Sequence, residues 1–451
     1  MSFQDSKLVE QLRTLLSPDG SYDDLINLVD DLQPYDLSMI IENLEQDEQL
    51  RLLQTIPPET AAETLEHFEP SEQYHFLDNM VINDKVEILN HMSSDAVVQL
   101  FTAIHPRQTE RLFDALQDPF KTQIRNQMSY PENSAGSLAN VDYIAARRWW
   151  TVERTLDHLR KVGEKAEIYN YIYVLGPRGE LVGVLSLREL ILAAPETQLE
   201  YIMNSKVISV PAELDQEEAA RLLAQYDLVA VPVVSYSGKM AGILTVDDVL
   251  DIIEEEATED IQLLGGSQPL DTPYLQSGIF GVFRKRIVWL LLLFFAGTIT
   301  SNILKHYEEV LAQLVTLAFF IPLLIDTGGN AGAQTSTTII RAVAVGDVTV
   351  KDFFKVIWRE MRLGLFLGLA MAAIGLAWTL AQKNRLEVGL IVSATIVVVV
   401  TVSSTFGALM PIIGKRLGLD PAVFSAPMIT TVVDALGLII YFQIARMVLG
   451  L

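Results

Sequence analysis

Five long apolar segments fill the C-terminal part of this 451-residue chain. They cover residues 287–304, 310–340, 363–380, 388–414 and 421–449. A helix needs about 20 residues to cross the hydrocarbon core of a bilayer, so each segment predicts one membrane-spanning helix. We therefore expect residues 277–451 to form an all-α transmembrane domain of five helices surrounded by lipid.

Basic residues at alternate ends of these segments predict their direction. Arg284, Lys285 and Arg286 precede the first segment, five basic residues separate the second from the third, and Lys415 and Arg416 separate the fourth from the fifth. Ends rich in Lys and Arg stay in the cytoplasm. The pattern predicts a multi-pass protein of the cell's inner (plasma) membrane, with its N-terminus in the cytoplasm and its C-terminus outside.

The charge of the chain is divided unevenly between its two parts. Residues 277–451 carry 14 Lys and Arg against 9 Asp and Glu, whereas residues 1–276 carry 19 against 48, a net charge of −29. An acidic field of this size repels nucleic acid and attracts cations. The absence of cysteine excludes disulfides and thiolate metal sites, which fits a cytosolic location for the first part.

One acid, Asp434, lies in the middle of the last apolar segment. A charged side chain at the centre of a spanning helix costs about 2.5 to 3.5 kcal/mol, so such residues usually face a bundle interior or a water-filled path. Helical spacing places Pro427, Thr430 and Thr431 on the same stripe. The stripe predicts a pore lining, and the alternative is an aspartate satisfied by a neighbouring helix.

The second apolar segment contains the sequence PLLIDTGGNAGAQTSTTIIR. Its proline and glycines predict a break in the helix, while Asn330 and Gln334 lie on one face. Broken backbone at membrane depth is tolerated where it lines a cavity. The alternative is a close contact between helices through small residues.

The N-terminal region repeats every 12 residues between Leu32 and Leu116. Both anchor positions of each unit are apolar, and Pro34, Pro58 and Pro70 follow the first anchor as helix-start signals. Units this short must stack to bury their apolar faces. Residues 1–130 are therefore predicted to form a small α-superhelix.

A second repeat, with an offset of 59 residues, follows in short strands that alternate with helices. YIYVL and LVGVLS pair in the first copy, and VAVPVV and MAGILT pair in the second. Residues 141–256 resemble a tandem CBS (cystathionine β-synthase) pair, an α/β module that commonly binds adenine nucleotides. The resemblance makes Thr245 and Asp248 candidates for the ribose of ATP, whereas Glu189 in the first copy departs from the preferred Asp. A purely scaffolding pair is the alternative.

An acid-rich stretch leads from the second copy toward the membrane. Asp248, Asp251, Glu255 and Glu259 fall on one face of a predicted helix. Like charges at these spacings destabilise a helix by about 0.2 to 0.5 kcal/mol per pair, and a bound cation reverses that sign. We assign residues 257–276 to a connecting (plug) helix and linker.

The chain resembles the MgtE family of magnesium channels over nearly its whole length. The features that carry the resemblance are, in order, the 12-residue repeat, the CBS pair, the acidic connector, GGNAGAQ and DPAVFSAPMITTVVDALGLIIYF. The resemblance implies a homodimer that is a Mg²⁺-selective channel or transporter, gated shut by Mg²⁺ on its acidic cytosolic domains. It implies that Asp434 of both subunits binds hydrated Mg²⁺ in a pore formed by the second and fifth helices. The implied regulatory Mg²⁺ ligands are Asp227, Asp248, Asp251, Glu256, Glu259, Asp260 and Asp420.

Asp326 departs from the family, whose members usually carry a small uncharged residue at this position. We count it among the pore-lining candidates, where it either adds a second ring of carboxylates or stabilises the predicted helix break.

Two other functions remain open from the sequence. A CBS-regulated transporter of another divalent cation, such as Co²⁺ or Mn²⁺, has the same architecture. An intramembrane aspartyl protease using Asp326 and Asp434 needs two carboxylates that share a proton. Its usual flanking tyrosine and glycine motifs are missing, so we expect a protein that is not an enzyme.

Overall fold

The 12-residue repeat folds as a series of short helices in a computed structural model that describes residues 3–17, 20–163, 166–270, 272, 274–275 and 277–450. Residues 1–254 and 255–451 form two compact units, which are described separately. The N-terminal helices are α1 (Phe3–Leu15), α2 (Tyr22–Asp30), α3 (Pro34–Ile41), α4 (Gln46–Thr55), α5 (Pro58–Glu66), α6 (Pro70–Asn79), α7 (Ile82–His91), α8 (Ser94–Ala103), α9 (Pro106–Phe113) and α10 (Phe120–Gln127).

The repeat anchors form the core of this helical region. Leu53, Leu65, Leu77 and Leu89, which take the second anchor position, are almost completely buried. Burying one such side chain contributes roughly 1.5 to 3 kcal/mol. Prolines at the first turn start α3, α5, α6 and α9, where the missing amide hydrogen costs nothing. The predicted α-superhelix is confirmed.

The CBS pair consists of two copies of the same small sheet. The first copy contains β1 (Tyr143–Arg147), α11 (Val152–Val162), β2 (Ile168–Leu175), β3 (Leu181–Ser186) and α12 (Leu187–Leu192). The second contains β4 (Val210–Pro211), α13 (Gln216–Gln225), β5 (Ala230–Val234) and β6 (Met240–Thr245). Each sheet pairs its first two strands in parallel and its last two antiparallel. Ile172 pairs with Leu185 and Val231 with Leu244, so the predicted strands keep the same register in both copies.

Helix α14 (Val246–Leu264) follows directly from β6 and includes the acid-rich stretch. It passes residue 257 without a break, because this stretch contains no glycine or proline before Gly265. The helix ends at Gly265 and Gly266, and Gly266 has a φ of +70°, a conformation that glycine adopts without strain. The connector is therefore a continuation of the last CBS helix.

The second unit contains helices of membrane-spanning length. They are α15 (Ile279–His306), α17 (Ile321–Ala344), α18 (Phe353–Ala381), α19 (Leu386–Arg416) and α20 (Ala426–Leu449), and a short helix, α16 (Glu308–Gln313), lies between α15 and α17. A 3₁₀ turn, Val315–Phe320, leads into α17, and five spans in the described residues are long and apolar enough to cross a membrane. The five predicted spanning helices agree with this count.

The predicted break in the second spanning helix is wrong, because α17 continues through all its glycines. The glycines are instead buried where neighbouring helices approach closely. A Cβ on Gly328 would lie 2.5 Å from Cγ1 of Val399 on α19, and one on Gly407 of α19 would clash with the carbonyl oxygen of Gly332. The alternative interpretation, a close helix contact through small residues, describes this segment correctly.

Candidate ion pathway and regulatory acids

Asp434 lies half-buried on α20, one to two turns beyond a polar start of the helix. Pro427, Thr430 and Thr431 are also half-buried. The hydroxyls of Thr430 and Thr431 donate to the carbonyl oxygen of Pro427 at 2.9 and 2.8 Å. Their lone pairs remain available as acceptors, so this face of α20 presents oxygen atoms.

Gly329 on α17 allows α20 to approach at the level of this acid. A Cβ on Gly329 would lie 3.1 Å from Cγ2 of Thr430 and 3.7 Å from Oδ1 of Asp434. The two helices therefore meet at Gly329, Thr430 and Asp434. Asp326 lies close enough on α17 for its carboxylate to repel that of Asp434.

A polar stripe runs along α17 next to this contact. Asp326, Asn330, Gln334 and Thr338 recur every four residues, and all four are exposed in the single chain. We call these four residues the α17 stripe. Polar side chains of a spanning helix are tolerated where they meet protein or a water-filled cavity rather than lipid.

The two membrane acids have no counter-charge in the part of the chain that the structure describes. Neither acid forms an ion pair with a Lys, Arg or His of the described residues. No hydrogen bond to either carboxylate occurs among the described residues. No group of three His, Cys, Asp or Glu side chains in those residues is placed to hold a metal ion. Mg²⁺ does not need such a group, because it keeps several waters and is usually held by one or two carboxylates.

A second group of acids lies inside the first unit and was not found from the sequence. Asp95 on α8 is 9% exposed, and Oδ1 accepts a hydrogen bond of 2.9 Å from the side-chain amide of Asn140. The same amide donates to Oε2 of Glu167 at 3.1 Å. The Asp248 carboxylate interacts electrostatically with both acids. Asp95, Glu167 and Asp248 are called the cytosolic cluster below.

Burial and mutual repulsion perturb these carboxyls in the same direction. Burial, followed by the charge of Asp248, raises the pKa of Asp95 well above its usual value. Burial and then Asp248 and Asp247 raise the pKa of Glu167 to about 7. Burial raises the pKa of Asp248 although Thr245 donates to it. A cation bound among these groups would favour their charged forms.

Sequence reasoning missed Asp95 because its position looks ordinary. It follows Ser93 and Ser94 near the start of α8, where acids are common for reasons of helix polarity alone. Glu167 lies in a loop before β2, with no periodic neighbour. Only the packing of α8 on the CBS pair brings the two carboxylates together.

Thr245 and Asp248 are bonded to each other. Thr245 is 1% exposed, and it donates to Oδ2 of Asp248 from its backbone nitrogen at 3.0 Å and from its hydroxyl at 2.5 Å. The hydroxyl proton of Thr245 is therefore used by Asp248, and its lone pairs remain as acceptors. Ser186 and Glu189 form the same arrangement in the first copy, with a hydroxyl bond of 2.8 Å.

The Thr245 position of the second CBS copy and the equivalent Ser186 position of the first differ in what covers them. In the second copy, Asn140 pairs with Ile243 beside the cytosolic cluster. In the first copy, Asn204 pairs with Val184 at the corresponding place, and a cleft of about 210 Å³ is open beside it. This cleft is lined by residues that include Tyr171, Tyr173, Ser186, Glu189, Asn204 and Lys206.

The remaining predicted ligands are spread over both units. Asp251 is exposed, and its carboxylate is attracted by His67. Asp227 is exposed in a turn, with a φ of +51°. Glu259 and Asp420 are exposed in the second unit, where the charge of Asp420 adds to burial in raising the pKa of Glu259. Glu256 and Asp260 are half-buried on α14. The structure thus brings together only some of these acids.

Three family models match the chain. One described as a divalent cation transporter matches residues 321–444, one described as the MgtE intracellular N domain matches residues 32–133, and one for the CBS domain matches residues 199–255.

Two curated relatives match most of the chain. The magnesium transporter MgtE of Thermus thermophilus is 41% identical over 344 residues, which are 76% of this chain and 76% of the relative. The magnesium transporter MgtE of Bacillus subtilis is 33% identical over 435 residues, which are 96% of this chain and 95% of the relative.

Two solved structures resemble the first part of the chain. The cytosolic domain of the Mg²⁺ channel MgtE in complex with ATP is 37% identical with a TM-score of 0.51, and the match covers 55% of this chain and 99% of that one. The soluble part of a magnesium transporter is 28% identical with a TM-score of 0.53, and the match covers 56% and 98%.

Proposed function

Because the chain belongs to the MgtE family of magnesium transporters, we propose that it conducts Mg²⁺ across the inner (plasma) membrane as a homodimer, through a pathway lined by α17 and α20. The observation that carries this proposal is Asp434, an unpaired acid packed against Gly329 in the middle of a spanning helix. Relatives that are named magnesium transporters favour Mg²⁺ over Co²⁺ or Mn²⁺ as the cargo.

The exposed α17 stripe supports a dimer. Asp326, Asn330 and Gln334 would meet hydrocarbon in an isolated chain, which is unfavourable for polar groups. A second copy related by a two-fold axis would cover the same face of its partner. The stripe and the half-buried face of α20 would then border a shared, hydrated space that contains Asp326, Asn330, Gln334, Pro427, Thr430, Thr431 and Asp434.

Two Asp434 carboxylates in such a space suit a hydrated divalent ion. Mg²⁺ dehydrates reluctantly, so the protein groups would contact its water shell rather than replace it. The electrostatic energy of an ion beside the acids doubles when its charge doubles, which favours Mg²⁺ over K⁺ at the same distance. The hydroxyls of Thr430 and Thr431 can accept hydrogen bonds from the bound waters.

Closure of the pathway would depend on Mg²⁺ bound to the cytosolic acids. The cytosolic cluster keeps like charges close together, so a hydrated Mg²⁺ held by one or two of its carboxylates would stabilise the compact state of residues 1–254. The further regulatory ligands are Asp227, Asp251, Glu256, Glu259, Asp260 and Asp420. Switching from mostly open to mostly closed takes about 5.5 kcal/mol of differential binding, which several weak sites can supply together.

An adenine nucleotide such as ATP is the proposed ligand of the CBS pair, and the first copy is its proposed position. The similarity to a cytosolic domain solved with ATP supports a nucleotide. The open cleft beside Ser186 and Glu189 offers aromatic faces, from Tyr171 and Tyr173, and the cation of Lys206. Thr245 and Asp248, which are hydrogen-bonded to each other, stay the predicted ribose ligands of the second copy.

Uptake of Mg²⁺ into proteoliposomes tests the main proposal. We expect Asp434→Asn to lower Mg²⁺ uptake at least about 100-fold, because the change removes charge from the pathway and keeps the size of the side chain. Glu387→Gln, an exposed acid at the start of α19, is the matched control and should transport normally. Mg²⁺ uptake by Asp434→Asn at the unchanged rate contradicts the proposal. Competition by Co²⁺ and Mn²⁺ in the same vesicles tests the alternative cargoes.

A further inference from the structure

Asp326 is an acid of α17 whose charge the proposed role of Asp434 does not explain. It lies five residues after the helix begins at Ile321 and is exposed in the single chain. Burying an unpaired acid in a membrane helix is costly, so its presence requires a compensating partner.

The helix geometry places Asp326 beside the ion pathway. It is three residues before Gly329, which contacts Asp434, and therefore about 4.5 Å away along the helix axis. It also begins the α17 stripe, since Asn330 and Gln334 follow at four-residue spacing. Its carboxylate is also close enough to that of Asp434 for the two charges to repel.

The two helices that carry Asp326 and Asp434 place no basic residue near them. The basic residues of α17 and α20 are Arg341 and Arg446. By sequence separation they lie about 22 Å along the axis from Asp326 and about 18 Å from Asp434, respectively. At such distances in a hydrated path their effect is largely screened. A mobile cation in the path can supply the compensating charge.

We propose that Asp326 is a specificity-determining residue of the pathway, a second carboxylate that raises the affinity for divalent cations over monovalent ones. The proposal rests on the transport function proposed for α17 and α20. In a dimer it adds two negative charges about one helical turn from the Asp434 pair, toward the N-terminal end of α17. A hydrated Mg²⁺ that passes from one pair of acids to the other remains close to negative charge throughout.

The charge of the ion makes the proposal quantitative. Interaction energy with a fixed charge is proportional to the charge of the ion, so neutralising Asp326 costs a divalent ion twice the energy that it costs a monovalent one. The fold-change in apparent affinity for Mg²⁺ should then be the square of the fold-change for K⁺. A change of about threefold for K⁺ corresponds to about tenfold for Mg²⁺.

The experiment compares the full-length wild type with Asp326→Asn in proteoliposomes. Two quantities are measured, the Mg²⁺ concentration at half-maximal uptake and the K⁺ concentration that halves Mg²⁺ uptake by competition. We expect the first to rise about tenfold and the second about threefold. Asp326→Glu, which keeps the charge, should stay close to the wild type, and Glu387→Gln controls for lost surface charge. If Asp326→Asn does not assemble, Asp326→Glu and Asp326→Gln form the same comparison.

The outcomes separate this inference from the function on which it rests. Unchanged half-saturation in Asp326→Asn, with Asp434→Asn inactive, overturns the role of Asp326 alone. Equal fold-changes for Mg²⁺ and K⁺ also overturn it, because they indicate altered packing rather than lost charge. Normal transport by Asp434→Asn contradicts the proposed pathway itself.

Discussion

The cytosolic cluster and the membrane acids Asp326 and Asp434 both contain carboxylates that lie close enough together to repel one another, but their surroundings differ. In the cytosolic cluster, the amide of Asn140 donates to Asp95 and Glu167, and Thr245 donates to Asp248. In the part of the chain that the structure describes, no such donor reaches the membrane acids.

This difference distinguishes a regulatory site, where an ion stays bound, from a conduction pathway, which an ion passes through. Carboxylates that are held by hydrogen bonds and have raised pKa values can exist without a metal ion, so the cluster has a stable empty state. Carboxylates without donors depend on water and a passing cation. An ion should therefore remain among the cytosolic acids and change a conformational balance, whereas it should move past the membrane acids.

The largest test of this contrast removes the first region. Deleting residues 1–130 takes away Asp95 and should leave a protein that transports Mg²⁺ but no longer shuts at high internal Mg²⁺. At a Mg²⁺ concentration that inhibits the full chain, we expect the truncated protein to give at least about tenfold more flux than the full chain. The reason is that bound Mg²⁺ then has no compact state of the deleted region to stabilise. Patch recordings at low and millimolar internal Mg²⁺ measure it. Closure with the same Mg²⁺ dependence would place regulation in the CBS pair and α14 alone.

A single substitution tests the cluster itself. Asp95→Asn removes a carboxylate that would bind Mg²⁺ but keeps an oxygen that can accept a hydrogen bond from Asn140. The Mg²⁺ concentration that halves the flux should rise about tenfold, equivalent to about 1.4 kcal/mol of lost binding. The control is Asp114→Asn, whose side chain is 86% exposed in the same region. An equal shift in the control would assign the effect to general surface charge.

The close contact between α17 and α20 beside Asp434 can be tested without changing any charge. Gly329→Ala puts a methyl group 3.1 Å from Cγ2 of Thr430, so α20 must move by a few tenths of an ångström. Because the proposed pathway depends on the position of Asp434, we expect Mg²⁺ uptake to fall roughly threefold, about 0.65 kcal/mol. Gly297→Ala on α15, where a Cβ meets no atom within 4 Å, is the control and should leave uptake unchanged. Full activity in Gly329→Ala would argue against a close-packed pathway at this level.

The smallest expected effect is a pH dependence of the cytosolic region. The pKa of Glu167 rises from an ordinary value of 4.5 to about 7 on folding. A raised acid pKa gives stability that is complete below the unfolded value and is lost as pH rises through the folded value. The melting temperature of residues 1–256 in the absence of Mg²⁺ should therefore fall by about 4 °C between pH 5 and pH 8.

Added Mg²⁺ should reduce this pH dependence, and Glu167→Gln should remove most of it. Relatives of this region have been crystallised as separate soluble parts, so the fragment is a reasonable sample. A melting temperature that rises over the same pH interval contradicts the assignment of Glu167.

Periodicity made most of the architecture predictable from sequence. The 12-residue apolar repeat, the 59-residue offset and the apolar runs each report local structure, because a helix or strand buries residues at fixed spacing. The continuous helix α17 could not be predicted in this way. Its glycines carry the same low helix propensity in a broken segment and in a buried one, and only the contacts with Val399 and Gly407 distinguish the two cases.

The candidate site residues also fall into those that the sequence predicted and those that only the structure revealed. Sequence alone determined that Asp434 and Asp326 lie in spanning helices, because charge in an apolar run is visible without coordinates. Tertiary structure decided that Asp434 meets Gly329, that Thr245 is bonded to Asp248, and that Asp95 and Glu167 share the amide of Asn140. Asp95 and Glu167 lie 72 positions apart in the chain. Their carboxylates meet only because α8 packs beside the CBS pair, and no local pattern records a contact between residues so distant in sequence.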